Sequence, residues 1–193
     1  MKRVAVFCGS SSGHDETYAR AARTMASALV KRRLSLVYGG GRVGLMGVIA
    51  DAVLEAGGEV HGVLPQALAT KELAHTGLTE LYVVESMHMR KAKMAELADG
   101  FLAMPGGFGT LDETYEALTW AQLGFHQKPV ALYNVAGYFD PLLAFSARAV
   151  ADGFVVPEHA RLLLSGSDAG ALLDQMEAYE PLAVPKWGRL SRT

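Results

Sequence analysis

A single cysteine in 193 residues, Cys8, excludes an intramolecular disulfide and a thiolate-based metal cluster. Its neighbours Val4, Val6 and Phe7 mark it as a buried strand residue with no chemical part. Charge of one sign is also missing: 18 basic against 20 acidic residues leave a net charge of -2, so nucleic acid is not an expected partner. No apolar run approaches the ~18 residues of a membrane span, and the N-terminus lacks the regions of a signal peptide. The expectation is a cytoplasmic protein with no membrane partner. The six histidines, His14, His61, His75, His88, His126 and His159, form neither an i, i+4 pair nor an HExxH arrangement, so no metal site is expected. His88 reads as a structural helix-start residue, with ligand contact as the alternative.

Half of the residues are hydrophobic and a fifth are charged, which supplies a substantial core and fits one domain. Short apolar runs at 2–8, 34–38, 59–63, 81–84, 100–104 and 129–133 read as strands, most of them apolar on both faces. Helical periodicity follows at 15–32, 44–56, 87–99, 108–123, 138–152 and 168–179. The alternation predicts a single α/β domain over residues 1–180, doubly wound and Rossmann-like, with a mostly parallel sheet and helices on both faces. Residues 181–193, with Pro, Gly and basic residues, read as a loose tail. In such folds the ligand settles beyond the carboxyl ends of the strands. The loops that follow the strands are therefore the place to look.

After the first strand comes Cys8-Gly9-Ser10-Ser11-Ser12-Gly13, either an anion-binding turn or a plain turn with a serine helix cap. After the second comes Tyr38-Gly39-Gly40-Gly41-Arg42-Val43-Gly44-Leu45-Met46-Gly47. Its glycine spacing matches the dinucleotide fingerprint in letters, but no acidic residue ~20 positions later ends a suitable strand, which argues against NAD. A nucleotide or phosphate loop and a structural turn remain.

Ser86-Met87-His88-Met89-Arg90-Lys91 opens a helix on which Arg90 interrupts an apolar stripe of Met87, Met94 and Leu97. A cation there needs a partner, either a structural carboxylate or a ligand phosphate. Lys91 beside it reads as an ordinary exposed lysine or a ligand contact. Finally, Pro105-Gly106-Gly107-Phe108-Gly109-Thr110-Leu111-Asp112-Glu113 leads from a strand into a helix and permits a tight phosphate cradle. Thr110-x-x-Glu113 also has the letters of a capping box, with Glu113 then serving only the helix end.

Together these four segments closely resemble the Lonely Guy family of cytokinin-activating phosphoribohydrolases, older descriptions of which say lysine decarboxylase. The likeness runs from about residue 4 to residue 173. It implies hydrolysis of the N-glycosidic bond of cytokinin riboside 5'-monophosphates, and of AMP in bacterial relatives, releasing free base and ribose 5-phosphate. It implies no metal and no cofactor, and a homodimer with active sites at or near the subunit interface. The resemblance makes Arg90 and Glu113 the catalytic pair. Substrate contacts fall to Gly9 and Ser10, to Gly39, Gly40 and Gly41, to Met89 and Lys91, and to the run Pro105, Gly106, Gly107, Phe108, Gly109, Thr110, Leu111 and Asp112. Glu72 and Thr119 stand where the family places further contacts. Asp112 replaces a frequent Glu and Phe108 a frequent Tyr, the latter removing a phenol hydroxyl.

The roles fit the chemistry. Cleavage passes through a cation-like ribose, which a carboxylate such as Glu113 stabilises while orienting or activating water. Arg90 either assists the departing base or holds Glu113 and the phosphate in position. Thr110 and the glycine loop would bind phosphate and so orient the sugar. A different outcome is a nucleotide-binding module without turnover. A decarboxylase would need a pyridoxal phosphate Schiff base, and none of Lys71, Lys91, Lys93 and Lys128 has a recognisable cofactor setting.

Overall fold

The structure, a computed structural model, describes residues 1–69 and 74–182. Seven strands form one sheet in the order β4-β3-β2-β1-β5-β6-β7, and every pairing is parallel. The strands are β1 (Arg3–Phe7), β2 (Ser35–Tyr38), β3 (Val60–Pro65), β4 (Glu80–Val84), β5 (Gly100–Ala103), β6 (Val130–Tyr133) and β7 (Leu163–Gly166). The helices are α1 (Glu16–Lys31), α2 (Gly44–Glu55), α3 (Gln66–Ala69), α4 (Met87–Leu97), α5 (Phe108–Leu123), α6 (Asp140–Ala151) and α7 (Ala169–Glu177). Among the described residues no helix is long and apolar enough to cross a membrane. The expected doubly wound α/β architecture is therefore present, with a sheet that is parallel throughout.

The pleat of β1 shows how the two faces are built. Val4, Val6 and Cys8 point to one side, where Met25 and Leu29 of α1, Ile49 of α2 and Leu172 of α7 pack. Ala5 and Phe7 point to the other, against Met94 of α4, Ala117 of α5 and the ring of Phe101. Alternation by one residue thus serves two cores, as a strand covered on both sides requires. α1 starts where Asp15 accepts the Thr17 N–H at 2.8 Å, so an aspartate and not one of the preceding serines caps this helix. Its buried stripe is Ala21, Ala22, Met25, Ala26 and Leu29. α4 begins the same way, with the Ser86 hydroxyl accepting the Met89 N–H at 3.2 Å.

Three elements differ from expectation. β7 is an edge strand bonded only to β6, and its four residues carry too little alternation to be read. α3 is four residues long, too short for any periodicity. α6 begins at Asp140, two residues later than expected, because Phe139, at φ -94° and ψ 4°, is its cap, and the turn before it holds Ala136 and Gly137 at left-handed angles, φ 51° and 72°. Glu72 and residues 183–193 of the expected tail lie outside the described residues.

Candidate active site

Strand order reverses at β1: β2, β3 and β4 extend to one side, and β5, β6 and β7 to the other. The loops leaving β1 and β5 meet at this switch point. The Gly9 N–H donates to the Pro105 carbonyl at 3.1 Å. A Cβ on Gly106 would stand 2.8 Å from the Gly9 nitrogen and 2.1 Å from Thr110 Oγ1, so the crossing requires a glycine there. Beside it opens a cleft of about 290 Å³, lined by residues 9–13, Tyr18, Leu45, residues 105–107 and Tyr138. Gly9, Ser10, Pro105, Gly106 and Gly107 are thus brought to one cavity.

The cleft runs into the N-terminus of α5. Gly107 is the cap residue and offers no side chain, so the first helical amides lack a protein acceptor. Among the described residues, the N–H groups of Gly107, Phe108, Gly109 and Thr110 donate to no protein atom. A Cβ on Gly107 or Gly109 would meet nothing within 4 Å. Packing does not demand glycine at either place; what glycine provides is bare backbone facing outward, next to the positive end of the helix. Thr110 lies in the first turn and is 4% exposed, whereas Phe108 is 92% exposed. The capping-box reading fails here: Thr110 is already helical, and Glu113 reaches across to Arg90 instead of back to the helix start.

Arg90, on α4, is 8% exposed. Its Nε donates to the Val63 carbonyl at 3.1 Å, and its Nη1 donates to Glu113 Oε1. The cation in the apolar stripe has found a carboxylate partner, and both side chains are 10% exposed. Burial raises the Glu113 carboxyl above the usual glutamate value, and the charge and hydrogen bond of Arg90 oppose that rise without cancelling it. Cys8 stands near enough to sense this pair. Burial first and the Glu113 charge second push its thiol far up, so it is no nucleophile.

Lys91 is more than an exposed lysine. It bonds Glu116 at 3.0 Å and Asp112 at 3.2 Å; burial works against its charge, but these bonds hold its pKa above the ordinary value. Asp112 therefore braces Lys91. Leu111 packs near Leu132 and Phe139, and Met89 is 47% exposed. Thr119 is exposed on α5, seven residues past Asp112 and so about 10 Å further along the same face.

The second glycine loop is tied to protein. A Cβ on Gly39 would lie 2.0 Å from Arg90 Nη2, so this glycine is the slot that admits the guanidinium. Gly40 has φ +75° and packs on Leu64 and Leu81, and Gly41 bridges to Ala74. The α2 amides of Leu45 and Met46 donate to the Gly9 carbonyl at 3.0 and 3.4 Å. These donors hold the first loop, and the loop positions Arg90. Gly39→Ala is expected to displace Arg90 from Glu113 and lower kcat about 100-fold with the fold retained, as measured by steady-state rates beside circular dichroism. The residues that sequence reasoning missed are Tyr18, Tyr138 and the Val63 backbone. The tyrosines sit in what read as helix, and a carbonyl leaves no signal.

A family model described as "Possible lysine decarboxylase" matches residues 46–176. Over 182 residues, 94% of its length, the chain is 51% identical to cytokinin riboside 5'-monophosphate phosphoribohydrolase LOG5 of Arabidopsis thaliana, covering 80% of that protein. It is 52% identical, with the same coverages, to the probable cytokinin riboside 5'-monophosphate phosphoribohydrolase LOGL9 of Oryza sativa subsp. japonica. The chain belongs to the Lonely Guy family. A solved molybdenum cofactor binding protein from Rippkaea orientalis shares the fold, with a TM-score of 0.70 at 20% identity over 92% of this chain and 96% of that one. As for the older description of the Lonely Guy family, a decarboxylase lysine must be free to form a Schiff base. Lys91 is held by two carboxylates, Lys93 pairs with Glu96 at 3.0 Å, and Lys128 donates to the Ala95 carbonyl at 2.6 Å. Lys71 lies outside the described residues.

Proposed function

We propose that this Lonely Guy protein hydrolyses the N-glycosidic bond of a cytokinin riboside 5'-monophosphate or of AMP, releasing an adenine-type base and ribose 5-phosphate. The observation that carries the reading is the buried Arg90–Glu113 pair at the α5 end of a glycine loop whose amides are open. The phosphate would take the amides of Gly107 to Thr110, with Ser10 and Gly9 closing the cradle from the first loop. Remote phosphate binding then orients the ribose. Glu113 would face C1' as the bond to the base lengthens and positive charge grows on the sugar. Water adds to C1', its proton passes to the Glu113 carboxylate, and the base leaves with the bonding electrons and takes a proton from solvent, to which Glu113 returns its own. Arg90 would hold the carboxylate in place, and a raised Glu113 pKa makes that carboxylate a stronger base than a solvent-exposed one. Gly39, Gly40 and Gly41 would serve by seating Arg90.

The protein would act as a cytoplasmic homodimer. Support for a second copy comes from the α5–α6 side. There α6 buries no residue, an apolar cavity of about 290 Å³ includes Tyr115, Leu118 and Phe145, and Phe145 is 66% exposed. Thr119 lies on α5 too, so its substrate contact would be to the copy that this face meets. Glu72 would contribute a further substrate contact.

The test is incubation with AMP and with isopentenyladenine riboside 5'-monophosphate, following free base by chromatography. Release from either supports the hydrolase and ranks the substrates. Binding of both with release from neither would leave a nucleotide-binding module.

A further inference from the structure

The cleft has one wall that the four glycine and helix-start segments do not supply. Residues 134–140 form a turn that presents Tyr138 to the loop after β5, and its hydroxyl donates to the Gly106 carbonyl at 2.6 Å. We infer that Tyr138 is a positioning residue that sets the direction of the 106–107 peptide, and with it the phosphate affinity of the α5 loop. The inference rests on the phosphate reading of that loop.

The physical argument starts from the peptide itself. In a planar trans peptide the N–H of Gly107 points opposite to the carbonyl of Gly106. Both flanking residues are glycines, so side-chain sterics at those Cα atoms do not select one orientation of this plane. A Cβ on Gly107 would meet nothing within 4 Å, so packing does not hold that end. The Tyr138 hydroxyl takes the carbonyl on one side and thereby commits the N–H to the other. Loss of that bond leaves the plane free to turn, bringing a carbonyl dipole toward the anion in place of a donor.

The turn that carries Tyr138 is built with backbone strain. Ala136, which has a Cβ, sits at φ 51° and ψ 31°, and Gly137 follows at φ 72°. Strain of this kind persists where the surroundings over-determine it, and it gathers at functional sites. Asn134 does the determining: its Nδ2 donates to Asp140 Oδ1 and its Oδ1 accepts the Phe139 N–H, both at 2.7 Å. Its backbone N–H is tied to Gly166 of β7 at 2.8 Å. Phe139, 1% exposed, anchors the turn in the core, and the ring of Tyr138 stands edge-on to Phe139 and Tyr18 with centroids 5.1 and 5.8 Å away. The ring is thus flanked by Phe139 and Tyr18 and, 41% exposed, lines the cleft.

Tyr138→Phe keeps the ring and its contacts and removes only the hydroxyl. Wild type and variant are titrated calorimetrically with ribose 5-phosphate and with free adenine, and their KM and kcat are measured on AMP. The expected result is a dissociation constant for ribose 5-phosphate and a KM for AMP both raised about tenfold, the worth of one ordinary hydrogen bond. Adenine affinity should be unchanged and kcat should stay within about twofold. Unchanged ribose 5-phosphate binding would overturn the inference, as would adenine weakened by the same factor, which marks general loosening of the site. Calorimetry needs no turnover. A wild type that binds ribose 5-phosphate but cleaves no nucleotide would sink the proposed reaction and still let Tyr138→Phe decide this point. A wild type that does not bind ribose 5-phosphate would sink the inference as well.

Discussion

Glu113→Gln is expected to lower kcat by about 10³-fold, within the usual range for loss of an acid–base group, while KM for the nucleotide changes by less than about threefold. The amide keeps the size of the side chain and an oxygen that accepts from Arg90 Nη1. What it loses is the negative charge that balances the ribose cation and the basicity that takes a proton from water. The fold should survive, because Glu113 does not cap α5. The cap is Gly107, and Glu113 spends its hydrogen bond on Arg90, which is also anchored on the Val63 carbonyl. Burial already disfavours the Glu113 charge, so a neutral amide adds no desolvation cost at that position. Base release by chromatography, nucleotide affinity by calorimetry and thermal unfolding separate the outcomes. Turnover equal to wild type would remove Glu113 from the chemistry, weakened affinity with kcat intact would make it a binding group, and loss of the fold would return it to structure.

How far the sequence carried depended on what each signal encodes. The parallel doubly wound sheet was legible because β1 to β6 are each short and apolar and are separated by helical periodicity. The pleat of β1, with Val4 and Val6 on one face and Ala5 and Phe7 on the other, needs apolar residues at every position. The place of the candidate site was legible for the same reason, since a switch point beyond strand ends follows from topology. Arg90 announced its need for a partner by breaking an apolar stripe, and only the fold supplies that partner from a helix 23 positions away.

Glycine was the least decisive signal, because one residue type answers several different physical demands. Gly39 makes room for a guanidinium, Gly40 adopts a left-handed angle, Gly106 allows two loops to touch, and Gly107 and Gly109 leave a backbone bare. In the sequence all five look like a phosphate loop. Only the space around each Cα tells them apart. The turn before α6 escaped for a related reason: Ala136 gives no hint of its left-handed angle, so Tyr138 read as the first residue of a helix when it is the arm of a strained turn.

Arg90→Met is expected to show which of its two possible roles the arginine plays. In the wild type, burial raises the Glu113 carboxyl, and Arg90, by charge and by hydrogen bond, supplies the strongest pull in the other direction. Removing it lets burial act with far less opposition, so the carboxyl rises further and keeps its proton to higher pH. If Arg90 acts by keeping Glu113 ionised and in place, the acid limb of kcat/KM moves to higher pH. The rate at pH 7 then falls by about 10²- to 10³-fold and partly recovers in alkali. Stability should follow the same group. A carboxyl whose folded pKa lies above its unfolded value binds its proton more tightly when folded, so its contribution is present at low pH and is lost as pH rises through the folded pKa. The variant should therefore lose more stability relative to wild type in alkali than in acid, by up to about 3–5 kcal/mol for an uncompensated buried charge. Adding Glu113→Gln to Arg90→Met should restore most of that stability and none of the activity. A loss of rate with the acid limb unmoved would assign Arg90 to the departing base, since it would then act without governing the charge of Glu113.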